Sequence, residues 1–399
     1  MPRLLPLRLQ RRRPGRIRPT LDRLEHALAA LGDPQCSFPS VLVVGTNGKG
    51  STAAILERLL AAHGRRIGLY TSPHLVRVEE RIRVDGRALS PEALEAYLTR
   101  LEPFPELTFF ETLTAAAFLA FVDGDVDVAV LEAGMGGRWD ATRLARSAVA
   151  GLTNVGSDHA AWLGSTPGEI ASDKAAALLA ARRAVLGPAP GHPLPPEASG
   201  HAVPAASLVR LTPSGAGRLA ASWDGVRVSG LVPPLVGKHQ VANLHLALAL
   251  ARSVAAEGWV EPLAAERVPT ALAEVSWPGR LSSARVGIRT VLLDGAHNLE
   301  GAEALARYLA AAPIRYNLVF SCLADKPARR MLDRLRPVVG DVAVCPLDDE
   351  RGLPVSELVA ACPEARVAAD PRAAIDSLPD PVLAAGSLRL VGALLAEAS

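Results

Sequence analysis

The chain has 399 residues, 49% of them hydrophobic, so it is long enough for two or three domains and can bury a sizeable core. A formal net charge of +2 removes any global electrostatic reason to expect nucleic acid or an anionic membrane as a partner, and leaves metabolite chemistry open. Cys36, Cys322, Cys345 and Cys362 form no CxxC pair, which argues against a zinc ribbon or a disulfide framework and fits a reducing, cytoplasmic setting.

Seven arginines and no acid fall in the first twenty residues. Lacking the apolar run of a secretory signal, the segment 1–16 reads as a solvated basic tail, with an organelle-targeting segment as the rival. The apolar run 41–44 predicts a buried strand, followed by a glycine-rich turn and a helical pattern over 52–63 closed by Gly64. The longest uncharged apolar stretch, 113–122, is about half of the roughly 20 residues a spanning helix needs and reads as a core helix. A second strand, 126–131, runs into Glu132 and Gly134-Met-Gly-Gly137; a third, 148–152, leads to Asn154 and Asp158-His159.

Thr166-Pro167-Gly168-Glu169 is a capping box that opens a helix to residue 181, with Lys174 inside it. The Pro- and Gly-rich segment 187–204 reads as loop or short edge strands, and 240–256 as a helix. After Trp277-Pro-Gly-Arg280 the texture repeats, with strands at 290–293, 317–322, 342–345 and 382–385 and helices at 301–312, 328–335 and 387–398. Strands alternating with helices predict an α/β fold in two domains, 1–278 and 279–399, whose ligands bind beyond the carboxyl ends of parallel strands.

Of 43 basic residues only four are lysines, Lys49, Lys174, Lys238 and Lys326, and all four fall in candidate motifs. Arginine cannot replace a compact ammonium on phosphate, nor a lysine that must lose its proton to react. Gly45-Thr46-Asn47-Gly48-Lys49-Gly50-Ser51-Thr52 lies between strand and helix, where backbone N–H groups and the helix N-terminus can cradle phosphates and Lys49 can neutralise them. Gly50 intervenes before Ser51, so the spacing departs from the standard GxxxxGK[ST].

The run 45–51, with Thr71-Ser-Pro-His-Leu75 and Glu80-Arg-Ile82, resembles the opening signature of folylpolyglutamate synthases in the Mur ligase family. The resemblance continues through Phe109-Phe-Glu111, Leu131-Glu-Ala-Gly-Met-Gly-Gly-Arg138, Asp158-His159, Gly237-Lys-His-Gln240, Pro278-Gly-Arg280, Asp294-Gly-Ala-His-Asn298 and Gly386-Ser387, and so covers nearly the whole chain. It implies a P-loop ATPase domain with a parallel sheet, a smaller Rossmann-like domain after it, ATP and magnesium as cofactors, and a monomer. The implied reaction activates a pteroate or folate carboxylate as an acyl phosphate, which the amine of L-glutamate displaces.

By the same resemblance Ser72, Glu132 and His159 are magnesium ligands, although histidine is an unusual ligand for so hard an ion. Lys174 is the family's carbamylated lysine, Asn243 and Asp294 contact ATP, Arg280 clamps its γ-phosphate, and His297 is a catalytic-site residue. Phe109, Phe110 and Glu111 offer the pterin an aromatic face and an acceptor, and Arg138, Trp139 and Asp140 follow the metal segment. Three stretches depart from the family pattern: Ser172-Asp-Lys-Ala-Ala around Lys174, Pro327 in place of an acid after Asp325-Lys326, and the loosely matching 17–23. The rival readings are a Mur-type cell-wall ligase, which would share the phosphate loop, a P-loop switch ATPase, which needs no second α/β domain, and a binding protein with a dead site.

Overall fold

The computed structural model describes residues 6–10, 12, 19–158, 160–164, 166–189 and 191–398. His159 and most of the basic tail lie outside them. Among the described residues three sheets form. The first contains β1 (Ser40–Val44), β2 (Ile67–Tyr70), β3 (Ile82–Val84), β4 (Arg87–Ala88), β5 (Val128–Glu132), β6 (Val149–Leu152), β7 (Arg183–Leu186) and β8 (Val203–Pro204), in the order β4-β3-β2-β5-β1-β6-β7-β8. From β2 to β8 all pairings are parallel, and β3 and β4 extend one edge as antiparallel strands.

The central strands are covered on both faces, which is why they read as continuous apolar runs. Leu42 and Val44 of β1 face the core around the Phe109–Asp123 helix, while Val41 and Val43 face the opposite core. That second core is built on the Lys49–Ala61 and Lys238–Ala256 helices, which pack against each other. Beside it stands a small antiparallel sheet of β9 (Arg210–Gly215), β10 (Arg218–Trp223) and β11 (Val226–Leu231), contributing Leu219, Trp223 and Val228 to the same core.

The third sheet holds β12 (Arg280–Val286), β13 (Arg289–Asp294), β14 (Asn317–Phe320), β15 (Val342–Val344), β16 (Arg366–Val367) and β17 (Val382–Ala385), ordered β12-β13-β17-β14-β15-β16. All its pairs are parallel except β12 with β13. Each face carries its own hydrophobic core. The segment 187–204 contains a short helix, Pro196–His201, as well as the edge strand β8. No helix among the described residues is long and apolar enough to cross a membrane.

Gly392 sits so close to Leu75 that a Cβ there would collide with the Leu75 carbonyl, which locks the Leu388–Ala398 helix of the third sheet against the segment after β2. The two large sheets thereby turn the carboxyl ends of their strands toward one shared cavity, the position open α/β sheets use for ligands.

Candidate active site

β1 ends at Val44 and the Lys49–Ala61 helix begins four residues later, so 45–48 must turn sharply. Gly48 takes φ +84°, and a Cβ on it would collide with the Asn243 side-chain amide. Glycine is therefore required twice, by backbone conformation and by space. Asn154 fastens the loop from below: its side-chain oxygen accepts from Asn47 N (3.0 Å), its amide donates to Asn47 O (3.0 Å), and its carbonyl accepts from Thr46 N (2.9 Å). Asn243 is buried against the loop and donates to Gln240 at 2.8 Å, three residues back on the same helix face. Lys49 Nζ folds back onto the carbonyls of Gly45 (3.2 Å) and Thr46 (3.1 Å).

Lys174 reaches the same loop from the Pro167–Ala180 helix, donating to Gly45 O at 3.1 Å. Two ammonium groups thus share one carbonyl, and Lys174 is only 2% exposed. Burial first, then the neighbouring charge of Lys49, pull its pKa down to about 7, against Asp173, Asp158 and Asp140. Glu132, at the end of β5, is buried and takes the Ser72 N–H at 3.0 Å. Burial pushes its carboxyl up, and Lys49, that N–H and Arg280 pull it back. Its Oε2 lies against Gly50, in the first turn of the helix whose Ser51 Oγ is buried with no hydrogen-bond partner. An unpaired buried hydroxyl beside a buried carboxylate and a backbone-lined loop is a hard-oxygen donor set, which fits magnesium better than a soft ion.

The second domain supplies the opposing wall. β12 starts with a register shift at Arg280 and a positive φ of 50° at buried Leu281. A leucine pays for that conformation, and Asp294 holds it: Oδ2 accepts from Leu281 N (3.0 Å) and Oδ1 from Ala296 N (3.0 Å). Asp294 thereby aims Arg280, whose charge acts on both Asp294 and Glu132. His297 donates from Nδ1 to the Gly295 carbonyl at 2.7 Å, and burial lowers its pKa, leaving Nε2 as the acceptor of a neutral ring on the cavity wall.

Between the domains Asp158 accepts from Lys326 Nζ (2.7 Å) and Asn298 Nδ2 (3.1 Å), with His297 Nε2 at 3.6 Å. Asn298 also exchanges side-chain hydrogen bonds with Asn47 at 2.9 and 3.3 Å, so the phosphate loop touches the second domain directly. Pro327 occupies the N-cap position of the Ala328–Leu335 helix without a side-chain cap bond, while Asp325 pairs with Lys326 at 3.3 Å.

A cavity of about 730 Å³ lies beside this cluster, between the two domains; Lys49, Lys174, Glu132, Arg280 and Asp294 stand outside its lining. Of the expected substrate residues it is lined by Phe109, Phe110, Glu111, Trp139 and Asp140, together with Ser72, His297 and Lys326. Arg138 is exposed and stands outside the lining. Two of the carboxylates are already engaged: Glu111 takes Thr108 N at 2.7 Å and Arg23 at 2.8 Å, and Asp140 takes Met135 N at 2.9 Å and Thr142 N at 3.0 Å. These hold the Thr108 cap and the 134–142 loop in shape. Lys238 lies exposed at a helix start, away from the cavity lining.

Sequence reasoning assigns no site role to Arg23, His74, Arg81, Trp162, Arg351 and Arg389, although the first three fall in the segments 17–23, 71–75 and 80–82; all six line the cavity. Arg81 donates to His74 Nδ1 at 3.0 Å and stacks on Phe109 with its guanidinium 5.3 Å from the ring centre. Burial holds His74 down at about 3, so the ring is a neutral acceptor. Among 39 arginines those of the cavity carry no compositional signal; Trp162, which is 57% exposed and lines the cavity like the expected Trp139, could have been flagged as one of only five tryptophans.

Two family models match the chain: the Mur ligase middle domain over residues 43–178 and the Mur ligase glutamate ligase domain over 279–391. The dihydrofolate synthase/folylpolyglutamate synthase of Mycobacterium tuberculosis is 36% identical over 390 residues, covering 88% of this chain and 78% of that protein. The M. tuberculosis folylpolyglutamate synthase solved with ADP and AMPPCP superposes with a TM-score of 0.84 at 34% identity, covering 96% of each chain. E. coli FolC in complex with DHPP and ADP gives 0.85 at 29% identity, covering 97% and 95%. The chain belongs to the Mur ligase family, in its folylpolyglutamate/dihydrofolate synthase branch, and is an ATP-dependent ligase.

Proposed function

We propose that this ligase adds L-glutamate to dihydropteroate, to a (tetrahydro)folate, or to both, through an acyl phosphate, acting in the cytoplasm as a monomer. The observation that carries this reading is the meeting of a phosphate loop with Lys49, Lys174 and Glu132 and a second-domain wall with Arg280, Asp294 and His297, joined by the Asn47–Asn298 hydrogen bonds, beside a cavity that Ser72 and His297 line. E. coli FolC was solved with DHPP, which supports a pterin in the corresponding cavity here.

A carboxylate oxygen of the acceptor attacks the γ-phosphorus of ATP and ADP leaves. Thr46 to Thr52 bind the phosphates through the loop and helix N-terminus, Asn243 packs against that loop, and Lys49 and Arg280 offset the charge that spreads over the transferring group. Magnesium, when bound, supplies further neutralisation; Ser72, Glu132 and His159 would hold it, and Ser51 Oγ is a buried oxygen with no hydrogen-bond partner in the first turn of the phosphate-loop helix. Carbamylated Lys174 would add a carboxylate to the same cluster, as its neutralisable amine permits. Phe109, Phe110 and Trp139 bind the flat acceptor, with Glu111 and Asp140 shaping that side; Arg138, expected there from the sequence, stands outside the cavity lining. The glutamate amine, once deprotonated, attacks the acyl carbon and inorganic phosphate departs; His297 Nε2 is placed to take a proton. Closure of the two walls keeps water from the acyl phosphate.

The test is magnesium-dependent phosphate release by purified protein with ATP and L-glutamate, with dihydropteroate, with tetrahydrofolate and with no acceptor, products weighed by mass spectrometry. A glutamyl adduct is expected on at least one pterin. Glutamate-dependent turnover on some other carboxylate and neither pterin would remove the folate assignment.

A further inference from the structure

The reaction above uses the lysines, Arg280 and the aromatic walls, yet the cavity holds a second group of cations that it leaves idle. Arg351 lies on the loop between β15 and β16, and Arg389 in the first turn of the Leu388–Ala398 helix, just after Ser387. Both line the cavity, and both bind one carboxylate, that of Asp349. Arg351 donates from Nε to Oδ1 and from Nη2 to Oδ2, each at 3.1 Å, and its backbone N–H reaches Oδ1 at 3.0 Å. Arg389 adds Nε to Oδ2 at 3.1 Å.

One buried carboxylate therefore anchors both arginines, and Asp325, also on the cavity wall, acts on Arg351 as well. Asp349 is 14% exposed, whereas Arg389 is 34% and Arg351 49% exposed, so the carboxylate is the buried foundation and the guanidiniums are the surface presented to the cavity. Among the described residues no hydrogen bond occupies the terminal amines of Arg389. A fixed planar fork with unused donors matches a planar carboxylate. Arg389 also raises the positive potential felt by His74 and Arg81 on the opposite wall. The group stands on the glutamate ligase domain, away from the phosphate loop of the first domain.

We propose that Arg389 and Arg351, locked in place by Asp349, form the subsite that takes a carboxylate of glutamate, either of the incoming amino acid or of the terminal glutamyl residue of the acceptor. This rests on the glutamate-ligation reading above. Arg389 contacts the substrate and Arg351 shares the charge while fixing the Asp349 loop.

Arg389→Met, Arg351→Met and Arg389→Lys are compared with the wild type in steady-state ligation and in calorimetric binding of L-glutamate to protein loaded with magnesium and a non-hydrolysable ATP analogue. Loss of a charge-assisted bond predicts that Arg389→Met raises the relevant KM about 10- to 100-fold, with kcat changed less than about threefold and the KM for ATP unmoved. Arg351→Met gives a smaller rise, and Arg389→Lys recovers part of the loss because it keeps charge without the fork. A rise in the KM of glutamate with every acceptor, with weaker calorimetric binding, assigns the subsite to the amino acid. A rise confined to glutamylated acceptors, absent with dihydropteroate, assigns it to the acceptor tail. Unchanged KM values, a fall in kcat alone, or an equal loss for ATP overturns the proposal. The wild type's response to pterins decides the folate assignment separately, since the calorimetric arm needs no acceptor.

Discussion

A lysine buried to 2% exposure, bonded to one carbonyl and facing a second ammonium, is held near neutrality, and Lys174 is in that position. With its pKa at about 7, about half of the amine is free at neutral pH, against about one part in three thousand for an ordinary lysine. Addition to carbon dioxide requires the free amine, so the burial that weakens the ammonium equips Lys174 for carbamylation. Turnover of protein depleted of carbon dioxide is expected to fall and to return on adding bicarbonate. Lys174→Arg, whose side chain stays charged, should lose activity at least about 100-fold and show no response to bicarbonate. Equal activity of the variant, or indifference of the wild type to bicarbonate, would sink the assignment. The amine protonates as pH drops through about 7, so turnover that depends on a carbamate at Lys174 is expected to fall on the acid side. For stability, the unfolded lysine binds more protons than the folded one between about 7 and 10.5, so the penalty that this group puts on folding is full below about 7 and is relieved as pH rises through that window.

At the scale of elements, the phosphate loop shows how close approach dictates sequence. Gly48 combines φ +84° with contact against Asn243, so Gly48→Ala would strain the turn by about 1–2 kcal/mol and also displace the Lys238–Ala256 helix start. The expected result is an ATP-analogue dissociation constant raised at least about tenfold with far-ultraviolet circular dichroism unchanged; wild-type affinity would refute the role given to the turn. This strand-loop-helix was legible because its signals are local: a continuous apolar run, glycines and a rare lysine. The strands β13, β14, β15 and β17 were legible for the same reason, being buried on both faces. The sheet β9–β11 was not, since Leu219, Ala221 and Trp223 alternate with half-exposed residues in short runs whose partners lie across turns. Nor was β12, where the register shift and positive φ at Leu281 answer to Asp294, distant in sequence. The same limit hid the cavity arginines, because what singles out Arg81 or Arg389 is the neighbour each meets after folding. Glu111 and Asp140 show the converse: sequence brings them to the site, and only their hydrogen bonds show the tasks of holding a cap and a loop.

Across the whole molecule, function depends on two sheets meeting over one cavity, and the seam between them is narrow and polar. Asn298 is its centre: it caps the Leu299–Ala310 helix by accepting from Gly301 N at 2.8 Å, pairs with Asn47 of the phosphate loop, and donates to Asp158. Next to it Glu300 accepts from both Ser157 N and Ser157 Oγ at 2.8 Å. Such contacts form only when the walls close, so they contribute to the reactive geometry more than to nucleotide binding by the first domain. Asn298→Ala removes the cap, worth about 1 kcal/mol, and the bridging bonds together. Glu300→Ala removes a bridge and leaves the cap intact. Both are expected to lower kcat about tenfold or more with ATP-analogue affinity changed less than about threefold, and only Asn298→Ala should also lower the thermal midpoint, by a few degrees. If the two variants lost activity only in proportion to stability, Glu300→Ala would be nearly silent and the seam would be mere packing. If Glu300→Ala alone slows turnover in a protein of wild-type stability, the closing of the two walls is part of the reaction, because no other property of the molecule would have changed.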